Sequence, residues 1–348
     1  MARIGIVGTG WGARVQVPTF REAGLQVTAI AGSNFNRTKS IAGELDLAAH
    51  ASWRSLVSDP KIDLVSVVTP PSEHLEIASA ALEAGKHVLC EKPTALNRDE
   101  AEKLVAAATQ HADRITLIDH ELRFLPSWRE ARTRIQEIGG VRYAEVRYSS
   151  PARGDRSREW NWWSDAQRGG GIWGAVGSHF VDALRYFGME PQSVQALLTT
   201  IIAERPFGDV VRAVTSDDWG SIQLRMRDHT VAAMTFSAIA SGPDEPAVMT
   251  IHGEKGAMRF LGEEVLLSIG GSPFQAVAGG PLEKRPGNSP GGAFGAGTLH
   301  LGRALRAALD DGDRNALAPG ATFHDGLQQQ RVLDAARESA SRGGWVAV

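Results

Sequence analysis

The sequence predicts an α/β chain of two domains. A doubly wound parallel sheet occupies residues 1–122, and an α+β domain with an open, mainly antiparallel sheet occupies 123–348, its C-terminal helix free to pack back on the first domain. Three observations predict this. The chain has 348 residues, too many for one ordinary core and enough for two. Short apolar runs alternate with helical patterns through the first third, and the hydrophobic period then changes to two. The bulk composition is that of a soluble globular protein, 43% hydrophobic and 22% charged with a net charge of −3. No basic stripe suggests nucleic acid, and no apolar run reaches membrane-spanning length. The single cysteine, Cys90, leaves no intrachain disulfide framework and suits a reducing, cytoplasmic compartment. The opening ARIGIVG is too short for a signal peptide, so the chain is expected to begin directly with structure.

The first run, residues 2–7, stops at Gly8-Thr9-Gly10-Trp11-Gly12-Ala13, and a helical pattern follows to about Ala23. Strand, glycine turn and helix form the context of a dinucleotide fingerprint. Gly8 permits the tight turn, Gly10 lets the backbone close on a pyrophosphate, and Ala13 lets helix and strand pack. Amides at the helix start then favour the anion. Further runs cover 27–31, 63–68, 87–90 and 115–118, with helices expected between them, among them 72–84 closed by Gly85 and 97–110. Strand and helix in alternation give a Rossmann-type sheet. Ligands of such sheets lie beyond the carboxyl ends of the strands. That singles out Gly8–Gly12, Gly32–Arg37, Thr69, Pro70 and His74, and Glu91 with Lys92 and Pro93.

Readers of NAD usually carry an acid after the second strand, bonded to the ribose 2′-hydroxyl. Here the chain reads Ala31-Gly32-Ser33-Asn34-Phe35-Asn36-Arg37, with no acid. Ser33 and Asn34 can donate hydrogen bonds, and Arg37 can pair with a 2′-phosphate. The sequence therefore favours NADP(H), with NAD(H) as the alternative. After the run 87–90, Lys92 sits before Pro93, which keeps it non-helical. As ammonium it can protonate a forming alkoxide, and as amine it can take the proton of an alcohol. Burial and a neighbouring cationic nicotinamide would lower its pKa toward a useful range. His74 would touch the cofactor ribose or cap a turn.

In the second half Ile222, Leu224 and Met226 alternate with Ser221, Gln223 and Arg225; Ala232, Met234 and Phe236 alternate likewise. Runs at 248–251, 257–260 and 265–269 follow, so an antiparallel sheet with one covered face is expected. Gly169–Gly171 are read as letting the backbone pass close to a ligand or a facing domain, ahead of a helix at about 175–187 that carries His179. His120 and Arg123 follow the last parallel strand and are candidates for substrate contact or structural pairing, with Glu121 between them. Trp160, Trp162 and Trp163 precede the glycines; Trp160 reads as core, and Trp162 and Trp163 as surfaces on which a sugar can stack. Residues 276–297 read as a Gly- and Pro-rich loop. No metal-ligand spacing, nucleophile elbow or repeat is present.

Three stretches taken together, Gly8-x-Gly10-x-x-Ala13, Thr69-Pro70-x-x-x-His74 and Glu91-Lys92-Pro93, resemble the glucose–fructose oxidoreductase / inositol dehydrogenase (Gfo/Idh/MocA) family. The resemblance continues through Arg123-Phe124-x-Pro126, through Gly169–Gly171 to His179, and from Phe323-x-Asp325-Gly326 past Val332 and Ala335 to Trp345. It implies an NAD(P)-dependent oxidoreductase of sugars, cyclic polyols or related carbonyls, with the lysine and histidine roles falling on Lys92 and His179. It also implies an open sheet used for homo-oligomers, a homodimer or homotetramer. One departure stands out: the family pattern places an aspartate four residues before the histidine, and here that residue is Ala175. Two alternatives stay open, a redox-assisted glycosidase and a cofactor-binding sensor without chemistry.

Overall fold

The computed structural model describes residues 1–277 and 292–348 and divides into two compact units. The first contains Met1–Leu125 and the later stretch that ends at Leu327. Its parallel strands are β1 (Arg3–Val7), β2 (Gln26–Ala31), β3 (Ala48–His50), β4 (Leu64–Val67), β5 (His87–Cys90) and β6 (Thr116–Ile118). They lie in the order β6-β5-β4-β1-β2-β3, and a short strand, Ala321–Thr322, pairs antiparallel with β6. The order reverses between β1 and β4, which opens a crevice at the carboxyl ends of those two strands.

These strands read as continuous apolar runs because both faces are covered. Ile4, Ile6, Leu64 and Leu89 face Phe20, Leu301 and Leu305 on one side. Val7, Val65, Val67, Val88 and Cys90 face Ile77, Leu82 and Leu104 on the other. The covering helices are α1 (Val17–Glu22), α2 (Phe35–Leu45), α3 (Trp53–Val57), α4 (His74–Glu83) and α5 (Arg98–Gln110), together with Gly292–Asp310. Asn34 and Asn97 cap α2 and α5, each side chain accepting a backbone N–H of the first turn. At the end of α4, Lys86 N–H donates to Ala81 O (2.9 Å) and Gly85 N–H to Leu82 O (2.8 Å), the glycine-terminated stop expected from the sequence.

The second unit contains the chain from Pro126 to residue 277 and Gln328–Val348. Helix α6 (Pro126–Arg134) leads to β7 (Val141–Ser149), and α7 (Ser178–Tyr186) leads to β8 (Pro191–Thr199). A hairpin of β9 (Glu204–Phe207) and β10 (Val210–Ala213) precedes β11 (Trp219–Met226) and β12 (Val231–Ser237). Then come β13 (Val248–Gly253), β14 (Gly256–Leu261), β15 (Glu264–Ile269) and β16 (Gln275–Ala276). The large sheet runs β16-β15-β14-β13-β7-β12-β11-β8, with Val346–Ala347 on the β8 edge. Every pair is antiparallel except β7 with β12.

Period-two alternation puts Ile222, Leu224, Met234 and Phe236 on the buried face, while Tyr143, Leu197 and Val231 are exposed. On the covered face Trp128 of α6 lies 5.0 Å from Phe260, and Phe180 of α7 lies 5.8 Å from Phe236. The loop expected over 276–297 falls mostly outside the described residues. Its last part differs from expectation, since a helix already starts at Gly292.

Candidate active site

In the first unit the carboxyl ends of the strands are laced together by hydrogen bonds that continue past the ladders. Gly8 N–H donates to Ala31 O, Val68 N–H to Val7 O, Glu91 N–H to Val67 O and Asp119 N–H to Cys90 O. The residues singled out in the sequence therefore share one end of one sheet: Gly8, Thr9, Gly10, Trp11 and Gly12 after β1, Ser33 and Asn34 after β2, Thr69 and Pro70 after β4, Glu91 and Lys92 after β5. Gly12–Gln16 form a wide, π-type turn ahead of α1. A Cβ built on Gly10 would meet nothing within 4 Å. Packing does not demand that glycine, so it leaves open a backbone cradle that suits a pyrophosphate.

The wide turn also delivers Gln16, which the sequence reading missed. Its Nε2 donates to Asp119 Oδ2 (2.9 Å) and to Glu91 Oε1 (3.2 Å), and its Oε1 accepts from Ser66 Oγ (2.6 Å). Ser66 fixes which way the amide points, so one nitrogen bridges two carboxyls. Two carboxylates so close cannot both ionise at ordinary cost. Burial, followed by the charge of Glu91, holds Asp119 well above the usual carboxylate range. Burial raises Glu91 as well, opposed first by the Lys92 ammonium and then by a hydrogen bond from Asp119. The two carboxyls thus oppose each other's ionisation, and the stronger upward push falls on Asp119. Glu121 is pushed well up by burial and by both neighbours, and Cys90 is raised well by burial. Cys90 is thereby an inert core thiol.

A carboxyl whose folded pKa exceeds its unfolded value of about 4 favours the folded chain fully at low pH. That contribution is lost as pH rises through the folded pKa. The groups around Asp119 are Glu91, Lys92, Glu121 and the Cys90 thiol. Asp119→Asn should therefore flatten the fall in stability above about pH 4. Urea unfolding of both proteins across pH checks this; parallel curves would contradict a raised Asp119 pKa.

His74 is fully buried at the start of α4, with Nδ1 3.0 Å from Pro93 O and Nε2 2.9 Å from Thr69 O. Its ring ties the loop after β4 to the loop after β5, which carries Lys92 across the cis Lys92–Pro93 bond. Burial lowers its pKa, opposed by the bonds to those carbonyls. Arg123 lies 3.5 Å from Asp325, and both belong to the first unit. Asp325 in turn accepts from Thr322 N–H. His120 is buried between Asp119 and Glu121. Ser33, Asn34 and Arg37 are exposed, and the Asn34 side-chain oxygen accepts from Arg37 N–H at 3.0 Å.

In the second unit the glycine stretch packs against its own domain. Gly171 has φ +108°, and a Cβ there would lie 2.4 Å from Asp217 Oδ1. Asp217 was also missed: its Oδ2 accepts from Trp173 N–H (2.7 Å) and its backbone oxygen from Ile172 N–H (2.9 Å). Burial raises its pKa, opposed by the Trp173 amide. The carboxylate anchors the start of a second wide turn, Trp173–Gly177, which runs into α7. Ala175 lies in that turn and His179, buried, in the first turn of α7. Trp160 is buried, with its indole N–H on Ala213 O (2.9 Å). Trp162 and Trp163 are half-buried, and one face of Trp163 is taken by the Arg153 guanidinium at 3.8 Å.

A doubly wound sheet with an open glycine turn after its first strand, joined to an open-sheet unit, is the architecture of a dinucleotide-binding protein. Residues 2–118 match the oxidoreductase family with an NAD-binding Rossmann fold, and 128–259 match the GFO/IDH/MocA C-terminal domain. An uncharacterised oxidoreductase of Synechocystis is 30% identical over 290 residues, 81% of this chain and 77% of that protein. Human glucose-fructose oxidoreductase domain-containing protein 2 is 30% identical over 99% of this chain and 93% of its own. Among solved structures, levoglucosan dehydrogenase in complex with NADH superposes with a TM-score of 0.88 at 26% identity, covering 100% of this chain and 99% of that one. The chain belongs to the Gfo/Idh/MocA oxidoreductase family. Among the described residues, no helix is long and apolar enough to cross a membrane.

Proposed function

We propose that the chain is an NADP(H)-preferring dehydrogenase or reductase of a sugar, cyclic polyol or related carbonyl compound, with Lys92 as acid/base and His179 assisting. The observation that carries this reading is the placement of Lys92 beyond β5, beside the Glu91–Asp119 pair and on the sheet end that bears the open Gly10 cradle. Similarity to levoglucosan dehydrogenase, solved with NADH and levoglucosan and with NADH and L-sorbose, supports the substrate class.

The turn Gly8–Gly12 would hold the cofactor pyrophosphate, Ser33, Asn34 and Arg37 the adenosine end, and Thr69, Pro70 and Glu91 the wall nearest Lys92. When bound, the nicotinamide supplies a hydride acceptor or donor. Lys92 takes the hydroxyl proton when an alcohol is oxidised and returns it when a carbonyl is reduced. Asp119 and Glu91 lie beside Lys92, and burial disfavours the charged form of both carboxyls. His74 fixes the loop on which Lys92 rides. His179 orients the substrate hydroxyl. With no acid at position 175, proton transfer in this reading rests more heavily on Lys92, or on a Glu, Tyr or water supplied from elsewhere. The test is turnover of reduced cofactor with a panel of keto-sugars and polyols.

The NADP preference rests on charge and space. No acid follows β2, and at Gly32 a Cβ would lie 2.7 Å from Thr9 Cγ2 and 2.8 Å from Thr38 Oγ1, so an acid at that position has no room. Arg37 stands exposed in the first turn of α2. Arg37→Ala is expected to raise KM for NADPH about 10–100-fold and to change KM for NADH little, as loss of a charge-assisted phosphate contact requires. Steady-state kinetics with both cofactors check this; equal effects on the two would remove Arg37 from phosphate recognition.

A further inference from the structure

Residues 150–160 and the β9–β10 hairpin gather arginines in the second unit. Arg205 Nη1 donates to Asp155 O (2.7 Å) and Nη2 to Arg153 O (2.6 Å), and Arg158 Nη1 donates to Ala152 O (2.8 Å). Those two guanidiniums are spent on backbone. The nearby carboxylates are spent as well: Asp155 accepts from Ser157 N–H and Oγ, and Asp218 accepts from the N–H groups of Ile201 and Ile202.

Arg153 is different. Its backbone N–H donates to Ala238 O (2.8 Å), which fixes its place beyond β12. Its half-buried guanidinium lies over the Trp163 ring, with its central carbon 3.8 Å from the ring centroid, and has no carboxylate or carbonyl partner among the described residues. Stacking satisfies the face of a guanidinium and leaves its in-plane fork of N–H donors unanswered. Burial, followed by repulsion from Arg158 and Arg205, pushes its pKa down to about 9. The fork is not among the buried unsatisfied groups, so water can answer it, and an arriving anion would replace that water with a charge-assisted contact.

Contacts inside the unit connect this group to the glycine stretch. A Cβ on Gly170 would lie 2.4 Å from Trp163 O, Gly171 abuts Asp217, and the Trp173 ring abuts Gly177, two residues before His179. We infer that the Arg153 fork receives the carboxylate of a sugar acid, held in plane by the Trp163 ring beneath. One open fork matches one carboxylate edge. The inference rests on the sugar oxidoreductase reading and narrows its substrate to the acidic members of the class.

Calorimetric titration of the full chain, saturated with reduced cofactor, tests it with matched probes. These are D-glucose with D-glucuronate, D-galactose with D-galacturonate, and D-glucose 6-phosphate. At least one carboxylate should bind about tenfold or more tighter than its neutral counterpart. Arg153→Ala should erase that difference, Arg153→Lys should restore part of it, and Arg156→Ala, an exposed neighbour, should preserve it. Equal affinity for each neutral and acidic pair, a carboxylate preference that survives Arg153→Ala, or preference for the 6-phosphate would overturn the assignment. Cofactor oxidation or reduction followed on the same samples separates the two ideas: carboxylate binding through Arg153 without any redox turnover upholds the anion site and contradicts the dehydrogenase reading.

Discussion

Lys92→Ala is expected to lower kcat by about 10²–10⁴-fold while the affinity for reduced cofactor stays within a few-fold, the range for loss of a positioned acid/base. The reason lies in where the strand ends. Residues Val88–Cys90 are buried in β5, and the chain leaves the sheet through Glu91, so residue 92 emerges at the carboxyl end beside Asp119 and Glu121. Lys92→Arg sharpens the test. It keeps the positive charge facing the Glu91–Asp119 pair, but a guanidinium does not give up its proton near neutral pH. The arginine variant should therefore fold and bind cofactor like the parent yet remain as slow as the alanine variant. Pre-steady-state and steady-state kinetics separate binding from chemistry; full rate in either variant would remove Lys92 from proton transfer.

The second large effect is on stability. Gly171→Ala is expected to destabilise the second unit by about 2–6 kcal/mol, from left-handed strain of about 1–3 kcal/mol and overpacking of similar size. The added carbon would fall 2.4 Å from Asp217 Oδ1 and 2.9 Å from its Cγ, and Asp217 cannot retreat without releasing the Trp173 amide. Gly10→Ala is the contrast. Its Cβ meets nothing within 4 Å, so stability should change by less than about 1 kcal/mol while cofactor affinity falls. Thermal melts with and without cofactor read both at once. A stable Gly171→Ala protein, or a Gly10→Ala protein with unaltered cofactor affinity, would contradict the roles given to these glycines.

The contrast also shows what the sequence could reveal. Strands buried on both faces are apolar runs, so β1, β2, β4, β5 and β6 were legible. Strand β3 was not, because Ala48–His50 is three residues long and carries no apolar run. The period-two strands β11 and β12 were legible for the same physical reason, one covered face. The exposed hairpin β9–β10 carries no such signal, since Val210–Ala213 is exposed throughout. Around the candidate site, Lys92 could be found because it adjoins a strand end. Gln16 and Asp119 are single polar residues 103 positions apart, and only the fold shows that they bond. The sequence marked Gly169–Gly171 as a place of close approach. It could not tell that Asp217 and the Trp163 backbone approach Gly171 and Gly170, rather than a ligand.

The central claim is net hydride exchange with a polyhydroxy substrate, and the near-ultraviolet absorbance of reduced nicotinamide tests it most directly. Purified chain mixed with NADP⁺ and a panel of sugars, sugar acids and cyclic polyols should accumulate reduced cofactor in step with a carbonyl product, and Lys92→Ala should abolish that signal. Cleavage of a glycoside with no lasting change in cofactor absorbance, or tight cofactor binding with no turnover on any member of the panel, would contradict it.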